Sequence, residues 1–308
     1  MKKPTILFTV LAIGALLTSC QLVGGADSFT PPQNFRDYWY NGQAEISRYQ
    51  LEQAQYGAVN PGEAVLIFVT EDFRTDTQVK LESDAKDKAT SVLKLNSIRR
   101  FVTGIYDYSL YSSVFTPINT KQYERSQKVT MSAQDWCGQV YTQLNFDGGK
   151  YDVMKRSYFE KDATEDFKID ATWLEDEIWT RLRMNPAALP VGETQVIPAA
   201  YAARLAGQKL EPQKALGTLA DYKGDAFTGK FLQQYSLNYP AAQRELRIVF
   251  EKAFPHAIAG WEETYPSRGK VLTTRAIKTE QIRSDYWSHN APGDTTLRKE
   301  LGVTGYEW

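Results

Sequence analysis

Alternation of apolar and polar residues runs through much of this chain and predicts strands. "AVLIFVTEDF" (64–73) is an apolar run entered by the turn "NPG" (60–62), and "YDYSLYSSVF" (106–115) alternates with many β formers. "SQKVTMSAQDWCGQVYTQLNF" (126–146) reads as one long extended stretch. It is followed by "DGG" (147–149) and "KYDVMKRSYF" (150–159), a hairpin signature because Asp-Gly and Gly-Gly accept the positive φ such turns need. Four further segments, 230–239, 244–254, 256–265 and 269–282, follow one another with short Gly/Pro turns and predict a meander.

One helix interrupts the strands. "DATWLEDEIWTRLRMNP" (170–186) offers Asp170 as N-cap and Thr172 with Glu175 as a capping pair. Leu174, Ile178 and Leu182 make an apolar stripe, acids sit early and Arg181 and Arg183 sit late, as the helix dipole prefers. Asn185-Pro186 ends it. A weaker helical signal covers 199–210. The expected fold is mainly β with minor α: an antiparallel curved sheet, open β-barrel or meander that curls to hide its edges, with one clear helix covering a side or an end. No linker interrupts residues 33–308, which are expected to form a single β-rich domain.

The N-terminus has a different character. Lys2 and Lys3 precede an uncharged apolar run from Thr5 to Leu17, followed by the small residues Thr18 and Ser19. The run is too short to span a bilayer as a mature helix. "LTSC" resembles the lipobox of bacterial lipoproteins, which implies a signal peptide at 1–19 and an acylated Cys20 as the first mature residue. Gln21 stands where Asp would retain such a protein at the inner membrane, so the expected place is the outer membrane, on its periplasmic face. Residues 20–32 read as the lipidated N-terminus and tether, reaching about 20 Å as a coil. The membrane is thus an expected partner, through the lipid.

Composition changes the picture little. The net charge of −1 becomes −3 when Lys2 and Lys3 leave, and the scattered charges argue against a nucleic-acid partner. The 18 tyrosines fit a strand-rich body.

Candidate chemistry is sparse. "GDAFTGK" (224–230) fits a phosphate loop in spacing, but Phe231 occupies the Ser/Thr position and a strand follows. Glu175, Asp176 and Glu177 are consecutive on a helix, point about 100° apart and cannot converge on one ion; Glu177 is expected to pair with Arg181 on the surface. His256 and His289 have no zinc-ligand spacing. No catalytic, cofactor-binding or metal-ligating set emerges.

Cys137 is the second of two cysteines and has no intramolecular partner once Cys20 is acylated. The strand period puts Trp136, Val140 and Leu144 on one face, with Trp136 packing the core, and Asp135, Cys137, Gln139 and Tyr141 on the other. That polar face meets solvent on an ordinary sheet and lines a cavity in a curved one. Cys137 is then either a structural residue or a reactive thiol; its near neighbour Asp135 would raise its pKa, and a remote His256 or His289 is a candidate base. Tyr38 and Trp39, with Asp37, form one of two "DYW" clusters. They are either core aromatics where the terminal segment docks or a site for headgroups or an amphiphile.

"YWYNGQAEISRYQLEQAQYG", "AVLIFVTEDF", "SVLKLNSIRRFVTGIYDYS", "DWCGQVYTQLN" and "WLEDEIWTRLRMNP" together resemble a family of bacterial envelope lipoproteins of unknown function, often labelled "septum formation inhibitor Maf". The resemblance covers nearly the whole chain after the signal. No stretch matches the Ser-x-Ser-Pro-Arg-Arg phosphate motif of the Maf nucleotide hydrolases, so it implies location and membership and transfers no catalytic residue. The expected function is binding or scaffolding, with an amphiphile, a glycan or an envelope protein as ligand and no cofactor. The alternatives are an envelope hydrolase or transferase using Cys137, and a division-linked factor on the family label alone.

Overall fold

The computed structural model of the chain describes residues 29–303 apart from Ala163. The expected signal peptide, Cys20 and the tether as far as residue 28 lie outside the described residues. The end of that tether is packed. The Phe29 N–H donates to Thr120 Oγ1 at 2.6 Å, and its ring meets Phe35 edge-on at 5.3 Å. The folded body therefore starts before residue 33.

Sixteen strands form one sheet. Those of the first half are β1 (Ala44–Gln55), β2 (Ala58–Arg74), β3 (Val79–Lys80), β4 (Ala89–Thr103), β5 (Tyr106–Pro117), β6 (Lys128–Gln134), β7 (Gln139–Asp147), β8 (Lys150–Ser157) and β9 (Glu165–Asp170). The second half supplies β10 (Trp173–Leu174), β11 (Gly192–Ile197), β12 (Gln213–Asp221), β13 (Leu232–Tyr239), β14 (Arg244–Glu251), β15 (Ile258–Ser267) and β16 (Lys270–Ser284). The described helices are α1 (Gln33–Trp39), α2 (Glu175–Met184), α3 (Ala200–Ala206) and α4 (Thr296–Glu300).

The spatial order is β10 through β16, then β1, β2 and β4 through β9, with β3 as a short flap on β2. All pairs are antiparallel except β10 with β11. The first and last long strands, β1 and β16, pair in the middle. The free edges are β9 and β10, which are consecutive in the chain but not hydrogen-bonded to one another, so the sheet is curved and unclosed. Connections alternate between two ends. One, the hairpin end, carries the turns at 56–57, 104–105, 135–138 and 268–269; the other, the α1 end, carries 75–88, 118–127, 148–149 and 252–257.

A single ion pair measures the curl. Arg99 of β4 meets Glu263 of β15 at 2.7 Å. These strands are four steps apart in the sheet, which in a flat sheet would be about 19 Å. The concave face is filled by α2, all ten of whose residues are buried. Its Trp179 packs edge-on against Trp261 of β15 at 5.2 Å, and Thr180 shares a hydroxyl contact of 2.6 Å with Thr116 of β5.

The helix expected at 170–186 is shorter, Glu175–Met184, and it covers the concave side from within. Asp170 ends β9, opposite Lys150, instead of capping a helix, and Trp173–Leu174 join β11. The N-terminal carboxylate is Glu177, whose Oε1 accepts from the Leu174 N–H at 3.3 Å. The Glu177–Arg181 pair forms at 3.5 Å but is buried. Its acid also accepts from the Ser126 N–H and hydroxyl, each at 3.0 Å.

The segment 126–146 is likewise two strands. Asp135 Oδ1 accepts the N–H groups of Cys137 (2.7 Å) and Gly138 (3.1 Å), folding 135–138 into a turn between β6 and β7. An Asx side chain competing for backbone donors ends a strand that alternation alone would continue. The "DGG" hairpin forms as expected, with Gly148 at φ 53° and Gly149 at φ 92° between Asp147 and Lys150.

Gly260 in β15 is one of the close approaches of chain to chain, on the convex side where Phe227 packs. A Cβ there would lie 2.2 Å from the Ala276 carbonyl oxygen and 2.4 Å from the Phe227 ring. Gly260→Ala is therefore expected to cost about 1–3 kcal/mol, as overpacking does. A lowered urea midpoint with an unchanged slope would show it, and an unchanged midpoint would refute it. Among the described residues no helix is long and apolar enough to cross a membrane.

Candidate functional site

Where the sheet fails to close, a cavity of about 880 Å³ opens on its concave side. That volume lies in the range of small-molecule sites. One wall is the inward-facing residues of the last three strands: Val140 and Thr142 of β7, Val153 and Lys155 of β8, Phe167 and Ile169 of β9. Strand period puts these on one face, and the curl turns that face inward. The opposite wall is α3, through Ala200, Ala203 and Arg204, with the loop from Gly207 to Glu211.

Register orders this lining along the strands. Val140 lies nearest the hairpin end, Thr142, Lys155 and Glu165 lie level, Val153 and Phe167 come next, and Ile169 lies nearest the α1 end. Val153, Phe167 and Ile169 run from the charged level toward the α1 end, and Lys161 and Lys209 also line the cavity. Asp166 points outward and is held by Arg156 in a two-pronged pair at 2.7 and 2.9 Å. Arg204 lies over the Phe159 ring at 4.8 Å.

A buried polar network holds α3 in place. Arg244 of β14 grips Glu175 with two hydrogen bonds, 2.5 and 2.6 Å, and reaches Glu263 at 3.4 Å. Glu263 also accepts from Arg99 and, at 2.8 Å, from the Tyr201 hydroxyl of α3. The Arg99 guanidinium stacks on the Tyr201 ring at 4.0 Å. Asp176 Oδ2 accepts from the Ala200 N–H at 3.2 Å, at the first turn of α3. Burial, joined by the Glu175 charge, pushes the Asp176 carboxyl up to about 7, against the opposing effect of that hydrogen bond and of Arg99 and Arg244. Burial also acts to raise Glu263, but Arg99 and Arg244 outweigh it and hold the carboxylate below its usual range. The three acids at 175–177 diverge as expected, each to its own partner.

At the α1 end a second pair spans the interior. Arg183 of α2 meets Glu45 of β1 at 2.6 and 2.7 Å, both side chains 1% exposed, and donates through Nε to the Pro255 carbonyl at 2.8 Å. Its guanidinium lies over the rings of Trp39 (5.0 Å) and Phe68 (4.7 Å).

The residues singled out from sequence fall elsewhere. Trp136 is not core but 68% exposed, its Nε1 donating to Asp107 at 2.9 Å. Cys137 is exposed in the same turn, and Asp135 is spent on the turn. Gln139 and Tyr141 face the convex side, where Tyr141 Oη, Gln143 and Asn145 form a polar ladder of 2.6 Å hydrogen bonds. The choice between solvent and pocket is thus decided for solvent, and the cavity takes the alternate residues Val140 and Thr142. The reason is curvature: the polar set lies on the convex side, and the apolar set is drawn onto the concave one.

Tyr38 and Trp39 belong to the body's core, with Trp39 fully buried against Phe35 and Phe68. Tyr38 donates to Glu45 at 2.5 Å under the Arg283 guanidinium, and burial with the Glu45 charge raises its hydroxyl well above the usual range. His256 is half-buried at φ 58°, edge-on to Phe254 (5.9 Å), and burial lowers its imidazole below the ordinary value. It sits with Tyr38 around Phe254 at the α1 end, while Cys137 is at the hairpin end. His256 and Cys137 are therefore not brought together. Lys155 was legible only as one of several alternating residues after "DGG".

Among the described residues no cluster of three or more His, Cys, Asp or Glu is placed to hold a metal. No family model, curated protein or solved structure matches the chain.

Proposed function

We propose that this chain is an envelope binding protein, held to the outer membrane by a lipid on Cys20 and facing the periplasm, whose cavity at the open seam takes an amphiphilic ligand. The observation that carries the reading is the 880 Å³ cavity on the concave face, where the apolar Val153, Phe167 and Ile169 adjoin the charged Lys155 and Glu165. A filled barrel would leave no such space, and a purely structural sheet gains nothing from an unpaired edge beside it. An apolar interior suits an acyl chain better than a glycan, whose hydroxyls need partners that Val153, Phe167 and Ile169 lack.

The test is displacement of a polarity-sensitive fluorescent fatty acid from the purified chain, with Ala203→Phe filling the cavity. Saturable binding to the parent and at least about tenfold weaker binding to the variant are expected. Equal binding to both would refute the site. The anchor has its own test: mass spectrometry of the mature protein should find acylated Cys20, and Cys20→Ala should release the body from the membrane.

An exposed Cys137 supports a second reading, thiol chemistry at the β6–β7 turn. A thiolate nucleophile needs a base or cation beside it, and the described side chains bonded to this turn are the carboxylates of Asp135 and Asp107. Cys137→Ser is expected to leave ligand binding unchanged and stability within about 0.5 kcal/mol. Loss of a cellular phenotype in that variant alone would revive the thiol.

A further inference from the structure

The charge of the ligand's head can be read from the order of residues in the cavity, given that the cavity is a ligand site. At the level where the lining changes from apolar to polar, β8 and β9 place Lys155 directly opposite Glu165 on the concave face. The two side chains do not form an ion pair, and they differ in depth: Lys155 is half-buried and Glu165 is exposed. Lys161 and Lys209 also line the cavity, and neither forms an ion pair with a described residue. Of the acids there, Asp166 is neutralised by Arg156, and Glu211 is exposed on the rim. Of the two level charges, the more buried is therefore positive.

A half-buried ammonium without a carboxylate partner is costly beside an apolar wall. An anionic head at that level would supply the partner and form charge-assisted hydrogen bonds. Below Lys155 the wall continues as Val153 and Phe167, then Ile169, an apolar depth of about 13 Å along the strands. We infer that the seam cavity selects anionic amphiphiles: a carboxylate or phosphate head bound at Lys155, with an acyl chain lying on Val153, Phe167 and Ile169. Lys155 is then the residue that sets head-group specificity, and α3, clamped by Tyr201 and Asp176, is the wall that closes over the chain.

The inference rests on the reading of the cavity as a ligand site, and the experiment separates the two. The fluorescent fatty acid is displaced from the purified chain by dodecanoate, dodecyl phosphate, dodecanol, dodecyltrimethylammonium and inorganic phosphate. The two anionic amphiphiles are expected to compete at least about tenfold better than the alcohol and the cation. Lys155→Gln should remove that preference, and Lys155→Glu should reverse it toward the cation. Dodecanol should bind all three forms alike, which reports that the variants keep the cavity. Equal competition by alcohol and anions, or an unchanged preference in Lys155→Gln, would overturn the inference while leaving the ligand site standing. Displacement by inorganic phosphate as strong as by dodecyl phosphate would overturn the amphiphile. Failure of the probe to bind at all would overturn the site itself. Preference for dodecanoate over dodecyl phosphate, or the reverse, assigns the head within the supported class.

Discussion

Replacing Arg183 with alanine is expected to lower folding stability by about 3–5 kcal/mol, the cost of breaking a buried ion pair from one side. The wild-type pair is two-pronged, at 2.6 and 2.7 Å, with both side chains 1% exposed. Alanine would leave the Glu45 carboxylate in the interior with only the Tyr38 hydroxyl as a side-chain donor. It would also remove the donor to the Pro255 carbonyl and the cation over Trp39 and Phe68. The double variant Glu45→Gln/Arg183→Met, which removes both charges at similar volume, should cost much less. Urea unfolding followed by tryptophan fluorescence reads both. A loss below about 1 kcal/mol for Arg183→Ala would mean the pair behaves like an exposed one. The pair also has a pH signature. Arg183 outweighs burial and holds Glu45 below its usual value of 4.5. The contribution is thus present above that value and lost as pH falls through the lower folded value.

Asp176→Asn is expected to act in the opposite direction. Burial and Glu175 put the folded pKa of Asp176 at about 7, against 3.8 for the free side chain. The folded state then holds a proton that the unfolded state has released between those values. Its contribution is fully present below about 3.8 and lost as pH rises to about 7, on the order of 4 kcal/mol at most. Asparagine keeps an oxygen for the Ala200 N–H and has no proton to lose. Relative to wild type, the variant should gain stability from pH 4 to about pH 7, level off above it, and gain little below pH 4. Melting temperatures across that range decide it; parallel pH profiles for the two proteins would show that Asp176 is ionised throughout. The groups facing it, Glu175, Arg99 and Arg244, are unchanged in the comparison.

The two predictions fall on residues whose role was not legible in the sequence. Arg183 and Asp176 look like surface charges of an amphipathic helix with acids early and bases late. The ten-residue helix is instead surrounded, because the curl brings β4 within ion-pair reach of β15 and leaves room for one helix inside. Strands β1 and β4 were hidden for related reasons. "AEISRYQLEQAQ" is rich in helix formers, and β4 carries Arg99 on its inward face, where alternation calls for an apolar residue. Both are buried on the inside by partners far away in sequence.

The candidate site was half legible. The stretch after Cys137 was singled out, but its polar residues were put forward and its apolar ones line the cavity. A strand has two faces and period alone identifies the sets; which set faces a cavity depends on the direction of curvature. Tyr38 and Trp39 stand out by their aromatic rings and His256 by its titratable one, and the fold uses them to seat α1 and the 252–257 connection.

The sequence by itself determined what is local: the meander of 230–282, the "DGG" hairpin and a helix in the middle of the chain. These follow from side-chain period and from which residues tolerate positive φ, both set within a few residues. Only the tertiary structure decided that the helix is inside, that its charges are paired across the sheet, and that the edges β9 and β10 stay apart over a cavity. Those outcomes depend on how far a sixteen-stranded sheet bends, and that bend is the sum of small strand-to-strand twists and of the volume enclosed, spread over the whole chain.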